Sequence, residues 1–357
     1  MKFKQIIKNS NPYLIAEVGV NHENSLNIAE RIIKQAKIGG ADAVKFQTYT
    51  AETIAAKKSP YYWDLKKVNI KSQFKLFKKY DKFKEAEYIK LKKICNHYKV
   101  EFLSTPFDLN SAIFLNKIVK FFKIASADLT NLMLLDQVSK FNKPILLSTG
   151  ASNFEEIKYV KNYITRNYPK VDLALMHCIL SYPTKYKDAH LEIIPLLKKK
   201  FNSLVIGYSD HTIPDASGTV LIDAYQKGAS IIEKHFTLDK FKGKKNNDHF
   251  HSMDYKDFLK FRKNISILDS INGSSSNRTI YKAEKKSRIN ARRSLYALGS
   301  IKKNKKISIL NIIAKRPGGG ISPLFYKKLL GKKLRKNVKD EHKLSWKDLY
   351  WLLNNIL

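Results

Sequence analysis

An eightfold alternation of short apolar runs with segments of helical periodicity constrains the fold of this chain more than any other feature. In each segment that follows an apolar run, apolar residues recur at three- and four-residue spacing. Apolar runs of this kind are typical of parallel strands that are buried on both faces. The predicted strands cover residues 13–18, 43–48, 100–105, 121–126, 144–150, 173–178, 204–208 and 230–235.

Eight strand–helix units over about 250 residues predict an α/β fold of the (β/α)8 type, a TIM barrel. The alternative is a doubly wound open sheet, but no GxGxxG sequence follows any of the strands. We therefore expect a barrel domain over residues 1–270. A polar break at 272–276 predicts a linker over residues 271–290, and short alternating runs beyond it predict a small capping domain over residues 291–357.

Polar side chains concentrate at the carboxyl ends of the predicted strands. In a barrel these ends converge on one mouth, where active sites are built. The residues at these ends are Glu17, Lys45, Gln47, Ser104, Lys123, Ser126, Ser148, His177, Asp210, His211, Glu233 and His235. We therefore predict a functional site at the carboxyl end of the barrel.

The basic and hydroxyl residues of this set predict an anion site. Lys45 and Lys123 would meet Ser126 and Ser148 at the mouth, which is the chemistry of a phosphate or oxyanion cradle. The alternative is an ion pair, in which Glu17 is a strand-end carboxylate that a barrel lysine neutralises. Two lysines and two serines together favour the anion site.

The two histidines predict a cation site beside the anion site. His211 follows Asp210 and His235 lies close to Glu233, and imidazoles with carboxylates can hold a divalent ion. The alternative is that His211 caps a helix or packs in the core and that His235 forms a hydrogen bond at a strand end. A metal site next to an anion site indicates metal-assisted chemistry on a phosphorylated substrate.

Composition bears on partners and compartment. The net charge of +36 suits nucleic-acid binding, but only nine of the 67 basic residues are arginine and the lysines are scattered over predicted helix faces. No apolar run approaches the roughly 18 residues of a membrane span, and we expect no signal peptide. Cys95 and Cys178 lie far apart in the chain, which suits reduced thiols. We expect a cytoplasmic protein that binds neither nucleic acid nor membrane.

Several motifs together resemble the sialic acid synthase family, in the family's order from about residue 12 to the C-terminus. The barrel motifs are IAEVGVNH at 15–22, VKFQT at 44–48, STPF at 104–107, KIAS at 123–126, LSTG at 147–150, SDHT at 209–212 and EKHF at 233–236. The sequence KRPGGGIS at 315–322 resembles the antifreeze-like (SAF) domain at the C-terminus of that family.

The resemblance implies a reaction and its site residues. Members of the family condense phosphoenolpyruvate with an N-acetylated hexose aldehyde and water, by C–O bond cleavage, to give a nine-carbon 2-keto sugar acid and phosphate. The resemblance implies a divalent ion, most often Mn²⁺, on His211 and His235, and Glu17 beside the metal-bound water and the aldehyde. The implied substrate-binding residues are Lys45, Gln47, Lys123, Ser126 and Ser148, with Tyr182, Asp248 and Arg316 on the sugar. It also implies a homodimer in which the C-terminal domain of one chain caps the barrel of the other.

The identity of the sugar stays open. N-acetylmannosamine or a similar hexosamine is the first expectation, and a diacetylamino hexose, as in legionaminate or pseudaminate synthases, is the alternative. A non-catalytic sugar-binding barrel is the alternative of another class. Residues 50–82 form a long polar and aromatic insertion that we expect to be a lid or to face the substrate, and Ile179 and Leu180 depart from the polar residues common in the family. His249 and His251 are expected to be loop residues, with contact of one of them to the substrate as the alternative.

Overall fold

The computed structural model describes residues 2–7, 12–63, 65, 68–244, 247–273 and 277–350, without the side chains of residues 243, 244 and 247. Two compact units divide the chain, Met1–Ile271 and Asn272–Leu357. Each unit has its own apolar core. The linker predicted over residues 271–290 contains the short helix Lys285–Asn290, and its bounds stay a prediction.

The first unit is built on eight parallel strands, which confirms the predicted barrel. Each begins and ends within two residues of its prediction. They are β1 (Tyr13–Glu17), β2 (Ala43–Thr48), β3 (Glu101–Pro106), β4 (Phe122–Ile124), β5 (Ile145–Ser148), β6 (Leu173–Cys178), β7 (Val205–Asp210) and β8 (Ile231–His235). The order in the sheet is β3-β2-β1-β8-β7-β6-β5-β4, and β3 lies beside β4, so the sheet is nearly closed.

The helices of the first unit follow the predicted alternation. Their first turns are fixed by side chains: Ser25, Asp108 and Asn153 each accept a hydrogen bond from a backbone N–H three residues later. The helices are α1 (Phe3–Ile6), α2 (Leu26–Ile38), α3 (Ala51–Ile54), α4 (Gln73–Tyr80), α5 (Glu85–His97), α6 (Leu109–Asn116), α7 (Leu132–Ser139), α8 (Phe154–Asn167), α9 (Ile193–Lys200), α10 (Thr219–Gln226) and α11 (Tyr255–Asn272). None of the described helices is long and apolar enough to cross a membrane.

Two apolar layers hold the barrel together. The outer layer lies between strands and helices, and the inner layer fills the amino end of the barrel. Phe3 of α1 closes that end, fully buried, with its ring 5.4 Å from the ring of Phe121. Because the amino end is filled by apolar side chains, polar residues on the inner face meet solvent only at the carboxyl end.

The second unit is a small β-containing fold. Strands β9 (Ser294–Ala297) and β10 (Ile312–Lys315) pair antiparallel with Ile312 opposite Ala297. Two short helices, α12 (Lys285–Asn290) and α13 (Tyr326–Leu329), accompany them. Isolated bridges such as Ile301 to Val338 tie the remaining loops to a common core.

A buried carboxylate, Asp348, stabilises the end of the second unit through hydrogen bonds and an ion pair. It accepts hydrogen bonds from the Ser345 N–H at 2.8 Å and from His342 at 3.0 Å, and it forms an ion pair with Lys336 at 2.8 Å. Burial alone would raise the pKa of Asp348, but Lys336 and the donors of Ser345 and His342 outweigh it and lower the pKa to about 2. The ionised form is therefore the form that stabilises the unit.

The Asp348→Asn variant is expected to lose about 2 kcal/mol of unfolding free energy in the second unit at pH 7. Because the pKa of Asp348 is lowered on folding, its contribution is complete above its unfolded value of 3.8 and disappears as the pH falls through about 2. Hydrogen exchange of peptides from residues 294–349 at several pH values measures this loss. Asp340→Asn, which removes an exposed carboxylate bonded to Gly299 N–H, is the control. Equal protection in both variants would contradict the prediction.

Candidate active site

Strand alternation decides which polar residues face the interior of the barrel. On β2, Lys45 and Gln47 point inward, whereas Phe46 belongs to the outer apolar layer. The same period of two applies to β7, where Ser209 faces the interior and Tyr208 packs outside. The inward polar residues line a cavity at the carboxyl end of the barrel.

Three of the strand-end residues predicted at this mouth lie instead on the outer face of the sheet, so the prediction was wrong for them. Ser104 hydrogen-bonds Thr48, His177 bonds the Ala189 carbonyl, and Asp210 forms a fully buried ion pair with Lys234 at 2.6 Å. Alternation turns every second side chain of a strand away from the barrel interior, so a position near a strand end does not by itself place a polar residue at the mouth.

Lys123 and Lys45 form the basic floor of the cavity. Lys123 Nζ donates to Ser148 Oγ at 2.7 Å, and Lys45 Nζ donates to Thr105 Oγ1 at 3.1 Å. Both amines face one carboxylate oxygen of Glu233, at 3.6 Å from Lys123 and 3.8 Å from Lys45. Burial opposes ionisation of Glu233, but the two lysines outweigh it and lower its pKa. The lysine pair and Ser148 are thus brought together as predicted.

Ser126 extends this floor through a close backbone approach. The Gly150 N–H donates to Ser126 Oγ at 3.0 Å. A Cβ atom at position 150 would lie 2.9 Å from Ser126 Oγ and 3.0 Å from the Cys178 carbonyl, so only glycine fits. The four residues Lys45, Lys123, Ser126 and Ser148, hereafter the anion cradle, line one cavity.

Glu17 lies at the edge of the anion cradle. Its carboxylate forms an ion pair with Lys45 at 2.5 Å and accepts a hydrogen bond from Gln47 Nε2 at 3.0 Å. Burial raises the pKa of Glu17 to about 7, with Lys45 opposing and Glu233 adding to the rise. A carboxyl group with such a pKa can exchange a proton near neutral pH.

His211 presents one ring nitrogen to the cavity. Its Nδ1 lies 2.9 Å from the Ile179 carbonyl, and an N–H donated there leaves Nε2 as a free lone pair. Tyr182 packs against this ring with centroids 4.1 Å apart. This is the arrangement by which proteins orient histidine ligands of metals.

A second imidazole lies beside a carboxylate that the sequence analysis had assigned to the sugar. His235 Nδ1 lies 3.5 Å from Asp248 Oδ2, and His235 and His211 have ring centroids 5.5 Å apart. One ligand atom each from His235, Asp248 and His251 lies within 4.8 Å of the others, so these three could hold a metal ion. The carboxylate next to the imidazoles is thus Asp248, because Asp210 faces outward and Glu233 faces the lysines.

The chemistry of this group suits a divalent cation. His235 Nδ1 is buried and has no hydrogen-bond partner among the described residues. Burial, together with nearby positive charge, lowers the pKa of His235 and His251. Both rings are therefore neutral at pH 7, the form that binds metal.

An aromatic wall lines the same cavity as the anion cradle. It comes mainly from the insertion between β2 and α5, where Trp63 Nε1 donates to the carbonyls of Val68 and Ile70 at 3.1 Å each. We call this surface the aromatic wall: Tyr62, Trp63, Leu76, Phe77, Tyr80 and Phe250. Leu180 also lines the cavity. The insertion that the sequence analysis singled out therefore faces the site.

Arg316 belongs to the second unit, where it is exposed after β10. Its contact with the sugar stays a prediction. Thr105, Ser209 and His251 also line the cavity, although none of them was predicted as a site residue. The period of two along β3 and β7, where Phe102 and Tyr208 pack outside, selects Thr105 and Ser209 as inward-facing residues. No periodic signal marks His251, because it lies in the loop after β8.

Comparisons with known proteins agree with this architecture. The NeuB family model matches residues 32–277, and the SAF domain model matches residues 292–349. The chain belongs to the NeuB family.

Three individual proteins show what this chain is similar to. The N,N'-diacetyllegionaminic acid synthase of Campylobacter jejuni is 38% identical over 336 residues, which cover 92% of this chain and 97% of that one. An uncharacterized protein of Methanocaldococcus jannaschii is 38% identical over 338 residues and covers 94% of each chain. The crystal structure of the N-acetylneuraminic acid synthetase of Leptospira borgpetersenii, in complex with citrate, has a TM-score of 0.67 at 31% identity, covering 78% of this chain and 90% of that one.

Proposed function

We propose that this protein is a synthase that condenses phosphoenolpyruvate with an N-acylated aminosugar aldehyde and water to give a nine-carbon 2-keto sugar acid and phosphate. The observation that carries the proposal is that the anion cradle and the imidazoles His211 and His235 line the same cavity. A non-catalytic sugar-binding barrel has no need of buried lysines and buried imidazoles in one place. Two relatives that match along nearly the whole chain, from C. jejuni and Legionella pneumophila, are named N,N'-diacetyllegionaminic acid synthases.

Three residues of the cavity bind phosphoenolpyruvate and a fourth transfers a proton. Lys123, Ser148 and Ser126 hold the phosphate and carboxylate of phosphoenolpyruvate, so that its C3 is fixed near the aldehyde carbon. A bond forms between C3 and that carbon, which leaves C2 cationic and the aldehyde oxygen anionic. Water adds to C2 and gives one proton to Glu17, which passes it to the aldehyde oxygen. The C2–O bond then breaks as the new C2 hydroxyl becomes a carbonyl and its proton leaves with the phosphate.

Charge balance explains why this site needs a cation. Lys45 and Lys123 face Glu17 and Glu233, so the floor of the cavity is close to neutral when both carboxyl groups are ionised. A divalent cation on His211 and His235 would add the missing positive charge for a trianionic substrate and, as a Lewis acid, polarise the aldehyde oxygen. Mn²⁺ is our proposal for that ion.

The aromatic wall favours the second of the two sugar classes. A hexose with two acetamido groups presents more apolar surface than N-acetylmannosamine, and Trp63, Phe77 and Leu180 offer an apolar surface to receive it. The legionaminic acid synthases of C. jejuni and Legionella pneumophila, at 38% and 33% identity, point the same way. We propose a diacetamido hexose as substrate, with N-acetylmannosamine as the comparator.

The proposal extends to assembly and compartment. We propose a cytoplasmic homodimer in which the second unit of one chain covers the barrel of the other and brings Arg316 to the sugar. Light scattering of the purified protein at two concentrations tests the dimer. An Arg316→Ala variant that keeps its KM for the sugar would remove Arg316 from the site.

Phosphate release from phosphoenolpyruvate tests the reaction. The purified protein with MnCl2 is expected to release phosphate only when a suitable sugar is present, and faster with diacetamido hexoses than with N-acetylmannosamine. With ¹⁸O in the bridging position, the label should appear in phosphate, because the C–O bond breaks. Removing metal with EDTA, or replacing His235 by alanine, should abolish release, whereas His97→Ala on the exposed face of α5 should not.

Two results would contradict the proposed reaction. Folded, metal-loaded protein that releases no phosphate with any of these sugars would reject the synthase and support the sugar-binding alternative. Phosphate release without added sugar would indicate a phosphatase.

A further inference from the structure

His251 is buried at the mouth of the barrel without a hydrogen-bond partner. Its exposed fraction is 0%, and neither ring nitrogen has a partner among the described residues. A neutral imidazole carries one donor and one acceptor, and native proteins rarely bury such groups unpaired. The ring nitrogens of His251 are therefore expected to bind a ligand that occupies the site.

The nearest polar groups to His251 are themselves potential metal ligands. Its ring centroid lies 4.5 Å from that of His235 and 6.2 Å from that of His211. Its Nε2 lies 4.0 Å from Asp248 Oδ1. Tyr182 closes another side of the ring at a centroid distance of 5.7 Å. His251 therefore faces the same space as the two imidazoles that the resemblance pointed to.

Backbone pairing fixes His251 next to β8. The Met253 N–H donates to the His235 carbonyl at 2.8 Å, and the Thr237 N–H donates to the Met253 carbonyl at 3.0 Å. Because these bonds extend the sheet by one bridge, the residue two places before Met253 is held beside His235. The position of His251 is thus part of the barrel rather than a property of a free loop.

The backbone at Gly19 makes room for the carboxylate of this group. Gly19 has φ +52°, and a Cβ atom there would lie 2.6 Å from Asp248 Oδ2 and 3.4 Å from His235 Cε1. Only glycine therefore allows Asp248 to lie against His235. The absence of a side chain at Gly19 thus leaves space for the Asp248 carboxylate beside His235.

We infer that His251 is a third imidazole ligand of the cation site, acting with His235 and Asp248. The inference deepens the proposed function, on which it rests for the presence of a catalytic cation. Added imidazole favours Co²⁺, Zn²⁺ and Fe²⁺ over Mn²⁺. The site is therefore expected to bind Co²⁺ more tightly than Mn²⁺ and to retain it through dialysis.

Metal titration of matched variants tests this inference without relying on activity. Calorimetric titration of the metal-free full-length protein with CoCl2 gives the affinity of wild type, His251→Ala and His251→Gln. The control is His249→Asn, since His249 is equally buried on the same loop but its ring bonds Thr237 Oγ1 at 2.7 Å and faces Glu23. Both His251 variants should bind Co²⁺ at least about 10-fold more weakly, the loss seen even for residues that only support a ligand. The control should match wild type.

X-ray absorption of the Co²⁺-loaded protein counts the coordinated imidazoles. One imidazole fewer in His251→Gln than in wild type would support the inference, and the same number in both would overturn it. Unchanged Co²⁺ affinity in the His251 variants would also overturn it, and the proposed reaction on His211 and His235 would then stand or fall by phosphate release. Wild type that binds neither Co²⁺ nor Mn²⁺ would overturn the inference and the metal-dependent reaction together.

Discussion

The Lys123→Met variant is expected to lose about 10³-fold in kcat/KM for phosphoenolpyruvate, which corresponds to about 4 kcal/mol. Lys123 is buried, donates to Ser148 Oγ at 2.7 Å and is one of two cations on the floor of the cavity. Without it, Glu233 keeps only Lys45 as a counter-charge, and the substrate phosphate meets a net negative floor. The loss should appear mainly as a raised KM for phosphoenolpyruvate.

A lysine on the other side of the barrel provides the control. Lys143 is partly buried and donates to the carbonyls of Asn116 and Val119, before the amino end of β5. Lys143→Met removes a comparable charge and should leave kcat/KM unchanged. Thermal unfolding of both variants separates a loss of folding from a loss of binding, because removing one partner of a buried ion pair can itself destabilise the barrel. A Lys123→Met enzyme within 10-fold of wild type would remove Lys123 from substrate binding.

The Glu17→Gln variant is expected to lower kcat by about 10³-fold, the typical value of a positioned general base. Glutamine keeps the shape of the side chain but cannot accept a proton. Because burial raises the pKa of Glu17 to about 7, the group is protonated and inactive below that pH and active above it. In wild type, kcat/KM should therefore fall as the pH decreases through about 7.

The pH profile distinguishes catalysis from an ion-pair role for Glu17. If the carboxylate only neutralises Lys45, Glu17→Gln should change KM for phosphoenolpyruvate and leave the acidic limb of the profile in place. If Glu17 accepts the proton, the limb should vanish with the loss of kcat. Glu52→Gln removes an exposed carboxylate paired with Lys78 at 2.8 Å. This control should keep the wild-type kcat and the acidic limb of the pH profile.

Sequence periodicity was enough to predict the barrel, because the structural pattern repeats eight times and each repeat supports the others. The predicted ends of the strands were less accurate than the prediction of the strands themselves. The fourth strand stops at Ile124 rather than Ser126, since Ser126–Asp128 turn into a short 3₁₀ helix. Strand ends depend on local turns, which the apolar pattern does not encode.

The candidate site was predictable where it lies on strands and less so where it lies on loops. Lys45, Lys123 and Ser148 followed from their positions at strand ends. The pairing of Asp248 with His235 could not follow from spacing, because it depends on the bridge between Phe236 and Met253 that folds the loop back onto β8. Contacts of this kind are set by tertiary structure, which gives no periodic signal.

The aromatic wall and the anion cradle arise from different parts of the chain, and this division has an evolutionary consequence. The lysines and the serines of the cradle sit on or directly after barrel strands, whereas most of the wall comes from one connection between β2 and α5. Under the proposed function, mutations in that connection can alter which sugar is accepted without moving the anion cradle. A lineage can therefore change its sugar by exchanging a single segment while it keeps the reacting groups unchanged.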